Sequence, residues 1–355
     1  MKRGTGGRHA SKKNLLVINY ATDERNQVFA HQIEAIYRFS KLFHKVYVIT
    51  TSRGQVSLPE NVIVIESKWK QGKRFTSSIR FIAKFLQVYS LDRNIVIFSH
   101  MTEVQSALIS PVTRVLRIKH VIWYAHASRS IAMSINRLLV DKIATSTSGS
   151  CPYTGNKVSV IGQAIDHEVF KVSERNFKSP YKFIHVGRTD PSKKIEIIIK
   201  AVENLKIKGF DSSLTIVGGP SSPTFNYYEH SLINIRDSLK NPSSVVFREP
   251  VERRLLPELL NSFDFFIHAF QGSLDKSLVE ATLCGMPVLT VNQEYRNIFG
   301  QWDNLATSSL EEEFLALKTL NEEKLKIEIS RRREIAVSQH SLSGWVGKIS
   351  RLLVD

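Results

Sequence analysis

DHEVFKVSERNFKSPYK, Asp166 to Lys182, is the stretch on which the fold turns. It is polar, carries a proline and has neither the apolar period of a strand nor that of a helix. On each side of it, short apolar runs alternate with helix-length segments. Upstream, NLLVINY (14–20) precedes an amphipathic run from Asn26 to Phe43, then KVYVITT (45–51) and NVIVIE (61–66). NIVIFSH (94–100), HVIWYAHA (120–127), DKIATST (141–147) and KVSVIG (157–162) continue that series. Downstream the strands are YKFIHVGR (181–188), SLTIVGG (213–219), SVVFRE (244–249), DFFIHAF (264–270) and PVLTVN (287–292). Strands separated by helices predict right-handed crossovers and open, mostly parallel sheets. The interruption at 166–182 is then a linker between two α/β, Rossmann-like domains. The expected division is a basic disordered tail (1–13), a first domain (14–168), a second domain (169–338) and a closing helix (339–355). Ligands of such sheets bind beyond the carboxyl ends of the strands, so the cleft between the domains is the expected site.

Composition narrows the classes. Hydrophobic content of 42% with 23% charged residues is that of a globular chain. No apolar run reaches the ~18 residues of a spanning helix. LLVI, after a basic start, is too short for the core of a signal peptide. Cys151 and Cys284 form neither a disulfide framework nor a metal spacing, which points to a reducing compartment. The net charge of +16 is the outlier. It favours phosphorylated ligands, an anionic membrane surface or nucleic acid. No helix-turn-helix or basic-aromatic sheet motif supports the last of these.

Candidate chemistry lies at strand ends. HVGRTDPSKK places Gly187 and Arg188 after a strand and Lys193 near a helix start at about Ser192. A guanidinium, an ammonium and helix amides there can converge on a phosphate. The alternative is a solvated basic loop. Gly218 and Gly219 follow the next strand, either as a plain turn or as a close approach of backbone to ligand. His126 and His100 end strands of the first domain and can face the cleft or simply pack. In GSLDKSLVEATLCGMPVLTVN (272–292), Ser273 or Asp275 is a candidate helix cap. Amides around Leu274, Asp275, Lys276 and Ser277 are candidate phosphate donors. Glu280 lies one turn in, where a carboxylate can accept two vicinal hydroxyls. Gly285 is expected as a left-handed cap with Pro287 beyond it. In SKWKQGKRFTSSIRFIAKFLQVY (67–89), Phe75, Ile79, Ile82 and Leu86 share one helical face, expected to turn to the core. Lys73, Arg74, Arg80 and Lys84 flank it, and this basic rim with Trp69 suits anionic headgroups.

VGRTDPSKK (186–194), VGG (217–219), VVFREPVERRLLPELLNSFDFFIHAF (245–270) and LVEATLCGMPV (278–288) occur in an order that resembles retaining nucleotide-sugar glycosyltransferases of family 4. DKIATSTSGS (141–150) followed by VIGQAIDHEVF (160–170) is similar to that family's segment leading into its linker. The resemblance covers nearly the whole chain and implies a GT-B fold, with two Rossmann-like domains facing a cleft and the C-terminal helices returning to the first domain. It implies that Arg188 and Lys193 bind the donor diphosphate, Glu280 the nucleotide ribose, and His126 the donor sugar. Gly187, Gly218, Gly219, Leu274, Asp275 and Lys276 fall in the same donor site.

Two positions depart from the family pattern. Gly272 stands where the family has a first acid near the donor sugar, leaving Asp275 or Lys276 to substitute. The first loop, ATDERNQVFAHQ, replaces a Gly-Gly turn, with Asn26, Gln27 and His100 as candidate acceptor contacts. The expected function is transfer of a sugar from a nucleoside-diphosphate donor to a lipid-linked or polysaccharide acceptor. No metal or other cofactor is expected, and the expected location is cytoplasmic, peripheral on the membrane. The alternatives are an inactive nucleotide-sugar-binding partner and a nucleotide-sugar epimerase.

Overall fold

The computed structural model describes residues 13–26, 29–175 and 177–355. The expected tail falls almost wholly outside them, as does Gln27. The first sheet is parallel, with strands β1 (Asn14–Thr22), β2 (Val46–Arg53), β3 (Val62–Glu66), β4 (Ile95–His100), β5 (His120–Trp123), β6 (Lys142–Thr145) and β7 (Val158–Val160). Its order is β3-β2-β1-β4-β5-β6-β7. The connecting helices are α1 (His31–Ser40), α2 (Arg74–Leu91), α3 (Glu103–Val115) and α4 (Ile131–Leu139). The path reverses direction at β1. Right-handed crossovers therefore put α1 on one face and α2, α3 and α4 side by side on the other. Packing agrees: α2 contributes Phe81, Phe85 and Val88 to the same core as Ile109 of α3.

The second sheet is also parallel, with β8 (Tyr181–Val186), β9 (Ser212–Val217), β10 (Val245–Arg248), β11 (Phe265–His268) and β12 (Val288–Thr290). Its order is β10-β9-β8-β11-β12. Helices α5 (Ile195–Ile207), α6 (Asn226–Asp237), α7 (Leu256–Asn261), α8 (Lys276–Leu283), α9 (Gln293–Phe299), α10 (Leu310–Lys318) and α11 (Glu322–His340) surround it. The last helix, α12 (Leu342–Val354), leaves this domain. Its Leu342, Trp345, Val346, Ile349 and Leu353 are buried in the core of the first sheet, beside Phe39 and Phe98. The expected return of the C-terminal segment is therefore present.

The chain crosses between domains twice, and the two crossings pair. Ile165 bridges to Ser341, and the Gln163 amide donates to Nδ1 of His340 at 2.9 Å. Gly162 has φ +87°, and a Cβ there would lie 1.8 Å from the Gln339 carbonyl oxygen. Any side chain at 162 would force the crossings apart.

Three local expectations need correction. In α2 the core face is Ser77, Phe81, Phe85 and Val88. Phe75, Ile79 and Leu86, expected inside, are 79%, 54% and 48% exposed. The helix carries two apolar stripes, and the sheet takes the other one. Trp69, expected at a headgroup surface, instead packs edge-on against Phe81 at 6.4 Å. The helix expected from about Ser192 opens as a 3-10 turn over Pro191–Lys193, and α5 begins at Ile195.

Candidate functional site

The carboxyl ends of β8, β9 and β11 and the start of α8 converge on the cleft. Gly187 continues β8 by donating to the Val217 carbonyl at 3.1 Å. Gly218 has φ +147°, and a Cβ there would lie 1.8 Å from the Gly187 carbonyl oxygen. These loops thus approach as only glycine permits. Thr189 donates to the Gly219 carbonyl at 3.0 Å and closes the pair of loops. Asp190 holds the arrangement. Its carboxylate accepts from the Ser221 amide and hydroxyl, both at 2.9 Å, and pairs with Arg188 at 2.9 Å. The Arg188 side chain is 46% exposed, so part of its fork faces the open cleft.

Lys193 is deeper. Its ammonium pairs with Asp275 and lies over the Phe270 ring, 4.1 Å from the centroid. His268 also meets Asp275, at 2.9 Å. Burial pushes the Asp275 carboxyl up, but Lys193 and His268 together outweigh it and hold it below the usual carboxylate range. Burial lowers the His268 pKa despite Asp275. Asp275 occupies the cap position of α8 but makes no side-chain capping bond. Its carboxylate is spent on Lys193 and His268, which corrects the capping expectation. Leu274 is a core residue, and its amide donates to Ser150 Oγ at 3.1 Å. That amide is therefore committed to the first domain.

From that domain, His126 stands at the cleft surface beyond β5. Partial desolvation, and then the Arg188 guanidinium, lower its pKa; Asp275 and Lys193 also act on it. The histidine and the three charged groups thus share one region. His100 is buried, packed 5.5 Å from Trp345. Burial, and next the Lys276 ammonium, keep it well below the ordinary histidine value. Asn26 uses its side-chain oxygen to accept from the Phe29 amide at 2.8 Å, in the turn before α1.

Glu280 is 3% exposed, one turn into α8. Its partner is a residue the sequence reading did not single out. Arg253 donates to Glu280 at 2.6 Å and to Glu34, on α1 of the first domain, at 3.1 Å. Glu34 and Arg253 are 219 positions apart, so only the folded chain brings them together. Burial disfavours the Arg253 charge, but Glu280 and Glu34 more than restore it. Lys276 lies against this bridge. Burial, then Arg253, bring its pKa down to about 7, opposed by Glu280 and Glu34. The Lys276 ammonium, Arg253 Nη2 and Glu34 Oε2 are buried without a hydrogen-bond partner. Unsatisfied buried polar atoms are costly, and three in one place suit a polar ligand.

Position 272, where the resemblance implies an acid, is sterically closed. A Cβ on Gly272 would lie 2.2 Å from the Phe270 ring. The space a side chain would need is filled by the ring that carries Lys193. Gly285 closes α8 with φ +69°, as expected. Cys151 and Cys284 are both unpaired and buried. Among the described residues, no group of three or more His, Cys, Asp or Glu side chains could hold a metal ion. No described helix is long and apolar enough to cross a membrane.

Comparison with known proteins bears on this geometry. The family model described as glycosyl transferases group 1 matches residues 166–306, the part that carries Arg188, Lys193, Asp275 and Glu280. No curated protein matches the sequence. The structure is similar to Alr3699/HepE of Anabaena, solved in complex with UDP-glucose. The identity is 16% and the TM-score 0.74, with 96% of this chain and 99% of that one covered. A glycosyltransferase from Rickettsia africae ESF-5 gives 13% identity and a TM-score of 0.71, covering 96% and 98%. WaaG, a glycosyltransferase involved in lipopolysaccharide biosynthesis, gives 16% and 0.66, covering 96% and 99%. At such identities the likeness concerns the fold, and the fold is GT-B.

Proposed function

We propose that the chain is a glycosyltransferase that moves a sugar from a nucleoside-diphosphate donor to a hydroxyl of a lipid-linked or polysaccharide acceptor, with retention at the anomeric carbon. One observation carries the reading. The matched segment lays Arg188 and the Lys193–Asp275 pair at strand ends, opposite His126 of the other domain, with Glu280 one turn into α8. In this reading the exposed part of the Arg188 fork meets the donor diphosphate. Lys193 adds positive charge behind it, and charge developing on the leaving group is met by fixed cations. Glu280 accepts the ribose hydroxyls, sharing or exchanging its Arg253 partner. His126 orients the sugar from the facing domain. Alr3699/HepE was solved with UDP and with UDP-glucose, so a uridine-diphosphate sugar is the first donor to try. The enzyme would work peripherally on the cytoplasmic face of a membrane.

The Phe270 ring beside Gly272 favours a second reading, a GT-B subunit that binds nucleotide sugar without turning it over. Calorimetric titration with UDP, on the protein and on the separate Arg188→Ala and Glu280→Ala variants, tests the site. Unchanged affinity in both variants would sink it. Turnover of UDP-sugars over a panel of acceptors, with the product anomer read by NMR, separates transferase from binding subunit. Turnover without acceptor would indicate an epimerase.

A further inference from the structure

The end of the first domain that faces away from the cleft holds a basic cavity of about 650 Å³. The loops leading into β1, β4, β5 and β6 meet there, beside the last turns of α2, α3 and α12. Its cations are Lys13, Arg93, Arg114, Arg117 and Lys119, and its acids are Asp141 and Asp355. The Asp141 carboxylate accepts from the His120 amide at 2.8 Å. Asp92, just before Arg93, is committed to Asn14 and to the Asn94 amide. Among the described residues, the side chains of Lys13, Arg114, Arg117 and Lys119 make no hydrogen bond or ion pair. Arg93 lies over the Tyr89 ring, 6.0 Å from its centroid. Two ordinary explanations cover part of this. A cation in the last turn of a helix complements its dipole, which accounts for Arg114. A lone surface cation is also normal. Neither accounts for Arg117, whose φ is +54°. It follows α3 in a cap where the Ile118 amide donates back to the Thr113 carbonyl at 2.9 Å. Glycine is the usual residue at such a cap, and one with a Cβ is strained there. The chain nevertheless places a guanidinium at 117, in the same cavity as the like charges of Arg114 and Lys119.

We propose that this cavity is a binding site for a small soluble oligophosphate, separate from the donor site. Guanidinium forks take phosphate oxygens two at a time, and ammonium groups add point charge. Like charges held around one space repel one another, and a ligand with several negative charges relieves them together. A single phosphate would leave most of them unmatched. The volume lies within the range of small-molecule sites, about 300–1,000 Å³, which favours a compact ligand over a polymer. The cavity lies at the amino ends of the strands, and the cleft lies beyond their carboxyl ends. A ligand held there leaves the cleft open. The site does not rest on the transferase reading.

The test titrates the full chain with inorganic tripolyphosphate and follows amide hydrogen exchange by mass spectrometry. Exchange at residues 116–119 should slow as the probe is added, and the midpoint gives an affinity for this cavity alone. That affinity should fall as salt rises. Arg114→Gln/Arg117→Gly should shift the midpoint up about tenfold or more, the size of lost hydrogen bonds to a charged partner. Glycine at 117 suits the cap, so the melting temperature should be unchanged or raised, and weaker binding is then not unfolding. Lys200→Gln/Lys208→Gln removes two exposed cations from the second domain and should bind as the parent does. No slowing at 116–119, equal weakening in both variants, or protection confined to residues 187–193 would each overturn the proposal. So would displacement of the probe by phosphatidylglycerol vesicles or by a single-stranded oligonucleotide, which would give the cations to a membrane or to nucleic acid. None of these readouts depends on turnover or on UDP, so a failed transferase assay leaves them standing.

Discussion

Two charge clusters of the second domain differ in how they are closed. Lys193, Asp275 and His268 satisfy one another within that domain, on β11, α8 and the loop after β8. Glu280 and Arg253 belong to the same domain, but their bridge is completed by Glu34 from the other. The first cluster is therefore held whatever the two domains do. The second is complete only while α1 lies against the second domain. It is also the one that leaves Lys276, Arg253 and Glu34 with unpartnered atoms. A group that must be in place before a ligand arrives belongs in the first kind of cluster; one that changes partners on binding belongs in the second.

The largest expected effect is on the self-contained cluster. Asp275→Asn leaves the Lys193 ammonium, 7% exposed, without its counter-charge. Unfolding in urea should show a loss of about 3 kcal/mol. A loss under about 1 kcal/mol would mean that solvent or Phe270 already supports the cation, and the contrast with the bridge would fail.

Next comes Glu280→Gln. It should lower UDP affinity by about 10- to 100-fold, the range expected for hydrogen bonds to a charged acceptor. Unchanged affinity would take Glu280 out of the donor site and leave it a purely interdomain residue.

A smaller effect is the pH dependence of binding. Lys276 faces Arg253, Glu280, Glu34 and His100, and its pKa of about 7 lies below the ordinary 10.5. With the folded value depressed, its contribution to stability is fully present above 10.5 and is lost as pH falls through about 7. In the proposed donor site, a diphosphate close enough to Lys276 would favour the protonated form and raise this pKa. Binding near about pH 8 should then take up part of a proton and weaken as pH rises. Calorimetry in buffers of different ionisation enthalpy measures the uptake, and Lys276→Met should abolish it. Equal uptake in that variant would assign the proton elsewhere.

The smallest effect is expected for Glu34→Gln, which discharges the far end of the bridge. Glu34 is 35% exposed, so solvent already screens it. Stability should change by no more than about 1 kcal/mol. A loss equal to that of Asp275→Asn would erase the distinction between the clusters.

What the sequence could show follows the same division. Alternating strands and helices, the glycines after β8 and β9, and the glycine that ends α8 are local signals, and each lies where its pattern puts it. The crossing of α12 is legible only through resemblance. Periodicity showed that α2 has an apolar stripe but not which stripe meets the sheet. Phe75, Ile79 and Leu86 look no less core-like than Phe81, Phe85 and Val88. Asp275 has the chemistry of a cap, and only the arrival of Lys193 and His268 redirects it. Arg253 was hidden because its role depends on Glu34, and no local spacing records that pairing.

Phe270 sets what position 272 can hold. A carboxylate cannot be placed at 272 while the ring stays where it is, and the ring cannot leave without uncovering Lys193. Residues 270 and 272 are therefore sterically coupled, and a side chain at 272 and the ring over Lys193 exclude each other as the chain now stands. At the place where a carboxylate at 272 would present hydrogen-bond acceptors, this chain presents the edge of an aromatic ring.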